Sequence, residues 1–192
     1  AMSYVARQKS NIKIVLMGDR GNAKEEYMKK IYTSIKRLMI EDIVEFVDSD
    51  QNVDEVLKDM DVLVSANQSQ EAFGRSIIEA QARGTLVVAT RIGGVVENII
   101  PRETGLLCEP GDPFDIAEKI FEYMDSPILM KHVAINARKY VEENFSLEKV
   151  MAQTVGVYSE ALTVKNILII KISSLGDVIL STPSIRAIRK RF

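Results

Sequence analysis

The sequence predicts an α/β domain of three layers, with a parallel β-sheet between two layers of helices. Short apolar runs alternate with amphipathic stretches along residues 12–162, which is the pattern of repeated β-α units. The run LVVA at 86–89 is apolar at every position, as expected for a strand buried on both faces of a parallel sheet. With 192 residues, of which 46% are hydrophobic, the chain is long enough to bury a core.

Each element is predicted from an apolar run, a helical spacing or a turn residue. The predicted strands are residues 12–17, 44–47, 61–65, 86–89 and 105–108. Apolar residues spaced by three and four predict helices over 23–39, 53–60, 73–83 and, with a break at 125–127, over 113–162. Asn52 is the expected N-cap of the second helix, and Gly84 the glycine that ends the third. At residue 165 the pattern restarts, with a strand at 166–172 and a helix from 183.

Composition excludes several classes of protein. The 25 basic and 27 acidic residues give a net charge of −2, which argues against a dedicated nucleic-acid binder. The single cysteine, Cys108, can form neither an internal disulfide nor a cysteine-rich zinc site, so we expect a reducing, cytoplasmic setting. The loop that starts at Gly18 lacks the G-x-G-x-x-G turn of a dinucleotide-dependent dehydrogenase.

The stretch EAFGRSIIE at 71–79 is the candidate site. It joins a strand to a helix, and the free amides at a helix N-terminus suit a diphosphate. Gly74 lets an anion approach the backbone, while Glu79 could accept hydrogen bonds from ribose hydroxyls and Glu71 would face what lies beyond the phosphate. Taken alone, two glutamates around a helix start are more often an ordinary capping and dipole arrangement.

Three segments, EAFGRSIIEA, ARGTLVVATRIGGVVENI and ETGLLCEPGDP, decide between these interpretations. In this order they resemble the C-terminal, Rossmann-like donor-binding domain of group 1 (family 4) retaining glycosyltransferases of the GT-B fold. The resemblance runs from about residue 12 to 162. It implies that Glu71 is catalytic, beside the transferred sugar, and that Glu79 holds the ribose of a nucleoside-diphosphate sugar.

The same resemblance assigns further residues. It implies that the amides around Phe73, Gly74 and Arg75 receive the diphosphate, and that Gly93–Gly94 keeps a loop slim beside the donor. It also implies retention of anomeric configuration, with no cofactor and no obligatory metal. The sequence departs from the family at Ala72, where glycine is usual. The family's first strand, its Arg and Lys loop and its N-terminal acceptor domain have no counterpart here.

A second resemblance covers residues 167–192, ILIIKISSLGDVILSTPSIRAIRKRF. This segment is similar to the opening strand, loop and helix of family 9 glycosyltransferases, which include lipopolysaccharide heptosyltransferases. Asp177 matches the aspartate of that loop and is interpreted as a vestigial base. We therefore predict two parts, a donor-binding domain at 1–163 and a truncated βα start of a second transferase domain at 164–192. The strand at 167–172 is expected to fill the place of the missing first strand, in cis or from a second chain in a homodimer.

The expected function is sugar transfer from a nucleotide sugar to a cell-envelope glycan, such as lipopolysaccharide. Because the acceptor domain is missing, this piece alone is expected to be inactive or weakly active. The alternative is a non-catalytic nucleotide-binding or assembly module. The expected location is cytoplasmic, with a peripheral membrane contact through the basic helix end at 186–191 as a minor alternative.

Overall fold

The computed structural model describes residues 1–18, 25–48 and 50–161. Internal contacts divide the chain into two compact units, Ala1–Phe145 and Ser146–Phe192. Of the second unit, the described part is one helix with its N-terminal residue. The predicted boundary at residue 163 falls outside the described residues and stays a prediction.

The described residues contain five strands and eight α-helices. The strands are β1 (Ile14–Gly18), β2 (Val44–Asp48), β3 (Val62–Ser65), β4 (Leu86–Thr90) and β5 (Leu106–Cys108). The helices are α1 (Met2–Gln8), α2 (Glu25–Leu38), α3 (Val53–Lys58), α4 (Arg75–Arg83), α5 (Val95–Asn98), α6 (Pro113–Met124), α7 (Pro127–Asn144) and α8 (Leu147–Ala161). A short 3₁₀ helix, Glu41–Ile43, precedes β2. The predicted α/β order is thereby confirmed.

The first unit has the predicted three layers. All strand pairs are parallel: β1 with β2 in one sheet, and β3 with β4 and β4 with β5 in another. Every residue of β4 is buried, because its side chains alternate between two apolar clusters. Leu86 and Val88 face a cluster that includes residues of α1, α6 and α7, while Val87 and Ala89 face residues of α3, α4 and α5.

Two helices were not predicted from the sequence, and one helix begins later than predicted. Helix α1 has a single fully buried residue, Val5, and packs on α6 through edge-on contacts of Tyr4. Helix α5 is only one turn long. The prediction that the third helix starts at residue 73 is wrong. It begins at Arg75, because Gly74 adopts φ 78° and ψ 54°, a left-handed conformation that cannot continue into the helix.

Strands β1 and β3 are not paired with each other in the described residues. Both Ile12, just before β1, and Val62 of β3 line a cavity of about 460 Å³. The strand expected to fill the gap, residues 167–172, lies outside the described residues, as does Asp177. No helix in the described ranges is long and apolar enough to cross a lipid bilayer.

Candidate functional site

The candidate site lies at the carboxyl edge of the sheet formed by β3, β4 and β5. Because these strands are parallel, the loops after Ser65, Thr90 and Cys108 leave the sheet at the same edge. Ligands of open parallel sheets bind outside this edge. The predicted residues Glu71, Phe73 and Gly74 lie in the loop after β3, and Gly93–Gly94 lies in the loop after β4.

The loop after β3 holds Glu71 in a defined orientation. Glu71 is half-buried, and one of its carboxylate oxygens accepts a hydrogen bond from the side-chain amide of Asn67. Asn67 is itself tied to the sheet, since its backbone carbonyl accepts a hydrogen bond from the Thr90 hydroxyl at 2.8 Å. Asn67 was not predicted from the sequence as a site residue. Its signal is an amide side chain four residues before the predicted catalytic glutamate.

The double glycine contacts the loop that carries Glu71. The Gly94 N–H donates to the Glu71 carbonyl at 2.9 Å. A Cβ atom at Gly93 would lie 2.5 Å from the same carbonyl oxygen, and one at Gly94 would lie 2.1 Å from the Ala72 carbonyl oxygen. Neither distance leaves room for a side chain. The two glycines therefore let the loops after β3 and β4 meet backbone to backbone, which fixes the position of Glu71.

Helix α4 presents its N-terminus at the same edge. Its N-cap residue, Gly74, has no side chain that could satisfy the first amides, and the first N–H groups of any α-helix lack acceptors within the helix. These amides and the helix dipole favour an anion. Phe73, just before the cap, is 46% exposed and packs edge-on against Phe145, with ring centroids 5.8 Å apart.

Glu79 follows one turn after Arg75 on α4. The Arg75 guanidinium lies 3.5 Å from the Glu79 carboxylate, and the two side chains are 85% and 37% exposed. A surface pair at this distance is worth less than about 1 kcal/mol. The Glu79 carboxylate is therefore free to exchange this partner for a hydroxyl group of a ligand at little cost.

The described residues provide neither a reactive cysteine nor a metal-binding cluster near this edge. Burial and the nearby Asp115 carboxylate raise the pKa of the Cys108 thiol to about 11, so it is protonated near neutral pH and is a poor nucleophile. Within the described ranges, no group of three or more histidine, cysteine or acidic side chains is placed to hold a metal ion. A cavity of about 670 Å³ lies beside Leu57, Gly84 and Met130, at the opposite edge of the sheet.

Comparison with known proteins gives the family. The family profile described as "Glycosyl transferases group 1" matches residues 1–140. The chain is a member of the group 1 glycosyltransferases. N-acetyl-alpha-D-glucosaminyl L-malate synthase of Bacillus anthracis is 34% identical over 128 residues, which cover 67% of this chain and 33% of that protein. A D-inositol 3-phosphate glycosyltransferase of Streptomyces avermitilis is 31% identical over 160 residues, 80% of this chain and 33% of that protein.

Solved structures confirm the GT-B assignment of the fold. A glycosyltransferase from Rickettsia africae superposes with a TM-score of 0.75 and 29% identity, over 84% of this chain and 43% of that one. Anabaena HepE, solved in complex with UDP, superposes with a TM-score of 0.77 and 24% identity, over 82% of this chain and 44% of that one. This group 1 chain spans about a third of the length of the two curated relatives named above.

Proposed function

We propose that this chain supplies the donor-binding part of a glycosyltransferase that uses a UDP-sugar. The observation that carries the proposal is the meeting of Glu71 and Gly93–Gly94 beside the uncapped start of α4, at the carboxyl edge of a parallel sheet. The UDP complex of HepE, a protein of the same fold, supports the choice of uridine. The sugar-transfer chemistry of the named relatives supports the rest.

Each residue takes a role that its position allows. The diphosphate would lie on the first amides of α4, around Gly74 and Arg75, with Phe73 beside it. Glu79, one turn further along, would accept hydrogen bonds from the ribose hydroxyls in place of its weak pair with Arg75. Glu71, oriented by Asn67, would face the transferred sugar.

The proposed contribution to catalysis is electrostatic. As the glycosidic bond to the donor breaks, negative charge grows on the leaving diphosphate, and amides already aimed at that position stabilise it without reorganising. A helix N-terminus performs this role without a metal ion, so we propose that transfer has no obligatory metal. The family resemblance favours retention of anomeric configuration.

We also propose an acceptor and a cellular location. The match to this chain covers only about a third of each relative, so we propose that acceptor binding depends on polypeptide outside this sequence and that this piece alone transfers sugar poorly or not at all. A cell-envelope glycan such as lipopolysaccharide is the proposed acceptor, at the cytoplasmic face of the membrane. The sequence resemblance at 167–192 to the family 9 transferases is what favours lipopolysaccharide.

The alternative function is a non-catalytic nucleotide-binding or assembly module. Titration calorimetry with UDP, GDP and ADP, each with and without EDTA, separates the possibilities. We expect saturable binding of UDP that EDTA leaves unchanged and that Glu79→Ala weakens by about tenfold or more, which corresponds to loss of a hydrogen bond to a charged group. Glu118→Ala, which removes an exposed glutamate of α6, is the matched control and should bind UDP as the unchanged chain does.

Three results would count against the proposal. Absence of heat with every nucleotide would favour an assembly module. Binding of UDP that is equally strong in Glu79→Ala and Glu118→Ala would remove the ribose role of Glu79. Binding of GDP or ADP in preference to UDP would keep the site but change the base.

A further inference from the structure

A buried polar network connects the last turn of α4 with the loop that precedes the helix. Gln81 is fully buried on the inward face of α4. Its side-chain NH₂ donates to the backbone carbonyls of Asn98, at 3.1 Å, and Thr104, at 3.0 Å. Because both of these groups are acceptors, the amide must turn its nitrogen toward them. Its oxygen is consequently buried without a partner, and it is the only such side-chain atom in the part of the chain that the structure describes.

Asn98 continues the network toward the candidate site. It is the last residue of α5 and is 3% exposed. Its side-chain NH₂ donates to the backbone carbonyl of Phe73, the residue immediately before the N-cap Gly74. These hydrogen bonds therefore link Gln81 to Asn98 and Asn98 to Phe73, so that the network ends next to the N-terminus of α4.

Energetics argue that this network does more than fill space. Buried polar groups contribute little to stability compared with well-packed apolar groups of the same shape, and a buried acceptor without a partner costs about 1–3 kcal/mol. Two apolar side chains at 81 and 98 would remove the unpaired oxygen, but they would also take these donors away from the backbone carbonyls of Asn98, Thr104 and Phe73. Of these hydrogen bonds, the one from Asn98 to the Phe73 carbonyl acts on the loop before α4.

The orientation of one peptide plane depends on that hydrogen bond. In a trans peptide the C=O of Phe73 and the N–H of Gly74 point in opposite directions. When Asn98 holds the carbonyl oxygen toward the interior, the Gly74 N–H points away from Asn98, at the start of α4. Glycine accepts φ angles of either sign, and Gly74 has a φ of 78°, so the backbone alone does not choose between this orientation and the flipped one.

We infer that Asn98, held in place by Gln81, is a positioning residue for the diphosphate site. It locks the Phe73–Gly74 peptide with its N–H toward the anion. Without the lock, this peptide can turn its carbonyl oxygen toward the diphosphate, where it repels negative charge. This inference rests on the proposed donor function, since it assigns a role to residues behind the site that would bind UDP.

The test compares UDP with UMP, because only UDP places a second phosphate at the start of α4. Asn98→Leu keeps the side-chain volume and removes the donor. We expect its affinity for UDP to fall by about tenfold, with a smaller loss for UMP, so that the preference for UDP over UMP declines. Gln81→Met, which frees Asn98 without touching Phe73, should shift the preference in the same direction and serves if Asn98→Leu does not fold.

Thr85→Val is the matched control. It removes another buried hydrogen bond from a side chain to a backbone carbonyl, that of Thr85 to Leu57 at 3.0 Å, at the opposite edge of the sheet. It should lower the melting temperature and leave both nucleotide affinities unchanged.

The outcomes distinguish a failure of the role of Asn98 from a failure of the proposed donor function. If the unchanged chain binds UDP but Asn98→Leu keeps its preference over UMP, whether by losing both affinities equally or by losing neither, Asn98 is only a packing residue and the inference is wrong. If the unchanged chain binds neither nucleotide, the proposed donor function fails, and the inference falls with it.

Discussion

Gly94→Ala tests whether the contact between the two loops determines the site. The added methyl group would lie 2.1 Å from the Ala72 carbonyl oxygen and 2.9 Å from the carbonyl carbon. Both atoms are backbone, so no side-chain rotation relieves the clash. The loop carrying Glu71 must move away by about 1 Å to restore an ordinary contact.

The cost follows from what this movement breaks. Overpacking of this kind costs about 1–3 kcal/mol. The hydrogen bond from the Gly94 N–H to the Glu71 carbonyl, 2.9 Å long, contributes about 1 kcal/mol more. We therefore expect the free energy of unfolding to fall by about 2–4 kcal/mol. A shift of about 1 Å in a binding loop also costs affinity, and we expect UDP to bind at least tenfold more weakly.

The assays are urea unfolding, followed by circular dichroism, and calorimetric titration with UDP. Gly156→Ala is the matched control, because a Cβ at this position of α8 meets nothing within 4 Å and alanine is the better helix former. It should leave the free energy of unfolding unchanged or raise it, and it should leave the affinity for UDP unchanged. If Gly94→Ala unfolds at the same urea concentration as the unchanged chain, the loops are not held as described. If it is destabilised but binds UDP normally, the contact is structural and the donor does not depend on it.

Two further predictions concern the core. Burial holds the pKa of Cys108 at about 11 instead of 9.0, so the folded chain keeps a proton that the unfolded chain releases, and stability should decline by roughly 2–3 kcal/mol between about pH 9 and pH 11. Cys108→Ala should flatten that part of the pH profile in urea unfolding, and parallel profiles would contradict the assignment. The buried Tyr123 hydroxyl donates to the Val87 carbonyl at 3.0 Å, so Tyr123→Phe should lower the free energy of unfolding by about 1–2 kcal/mol, and an unchanged urea midpoint would show that the hydrogen bond contributes nothing.

Much of the fold could be predicted because its strands are short apolar runs. The run at 86–89 became β4, buried throughout, and Asn52, the predicted N-cap of α3, accepts a hydrogen bond from the backbone N–H of Asp54. Helix α1 could not be predicted in the same way. Its one buried residue, Val5, gives no periodic signal, and its position depends on packing against α6.

The candidate site could be predicted in its parts but not in its assembly. The positions of Glu71 and Glu79 on either side of a helix start followed from the sequence pattern. The contact of Gly93–Gly94 with the Glu71 loop did not, because it is a tertiary contact between residues about twenty positions apart. The sequence carries one signal of the role of Gln81, which is a polar residue on the apolar face of α4 beside Ile77 and Ala80.

Helix α4 is held firmly at its C-terminal end, which limits how a donor site at its N-terminal end can adapt. Gln81 fixes the last turn, and just beyond it the Thr85 hydroxyl donates to the Leu57 carbonyl. Such a helix cannot slide along its axis to make room for a bulkier sugar. Laboratory evolution toward a new donor should therefore accumulate substitutions in the loop at 66–73 and leave the inward face of α4 unchanged.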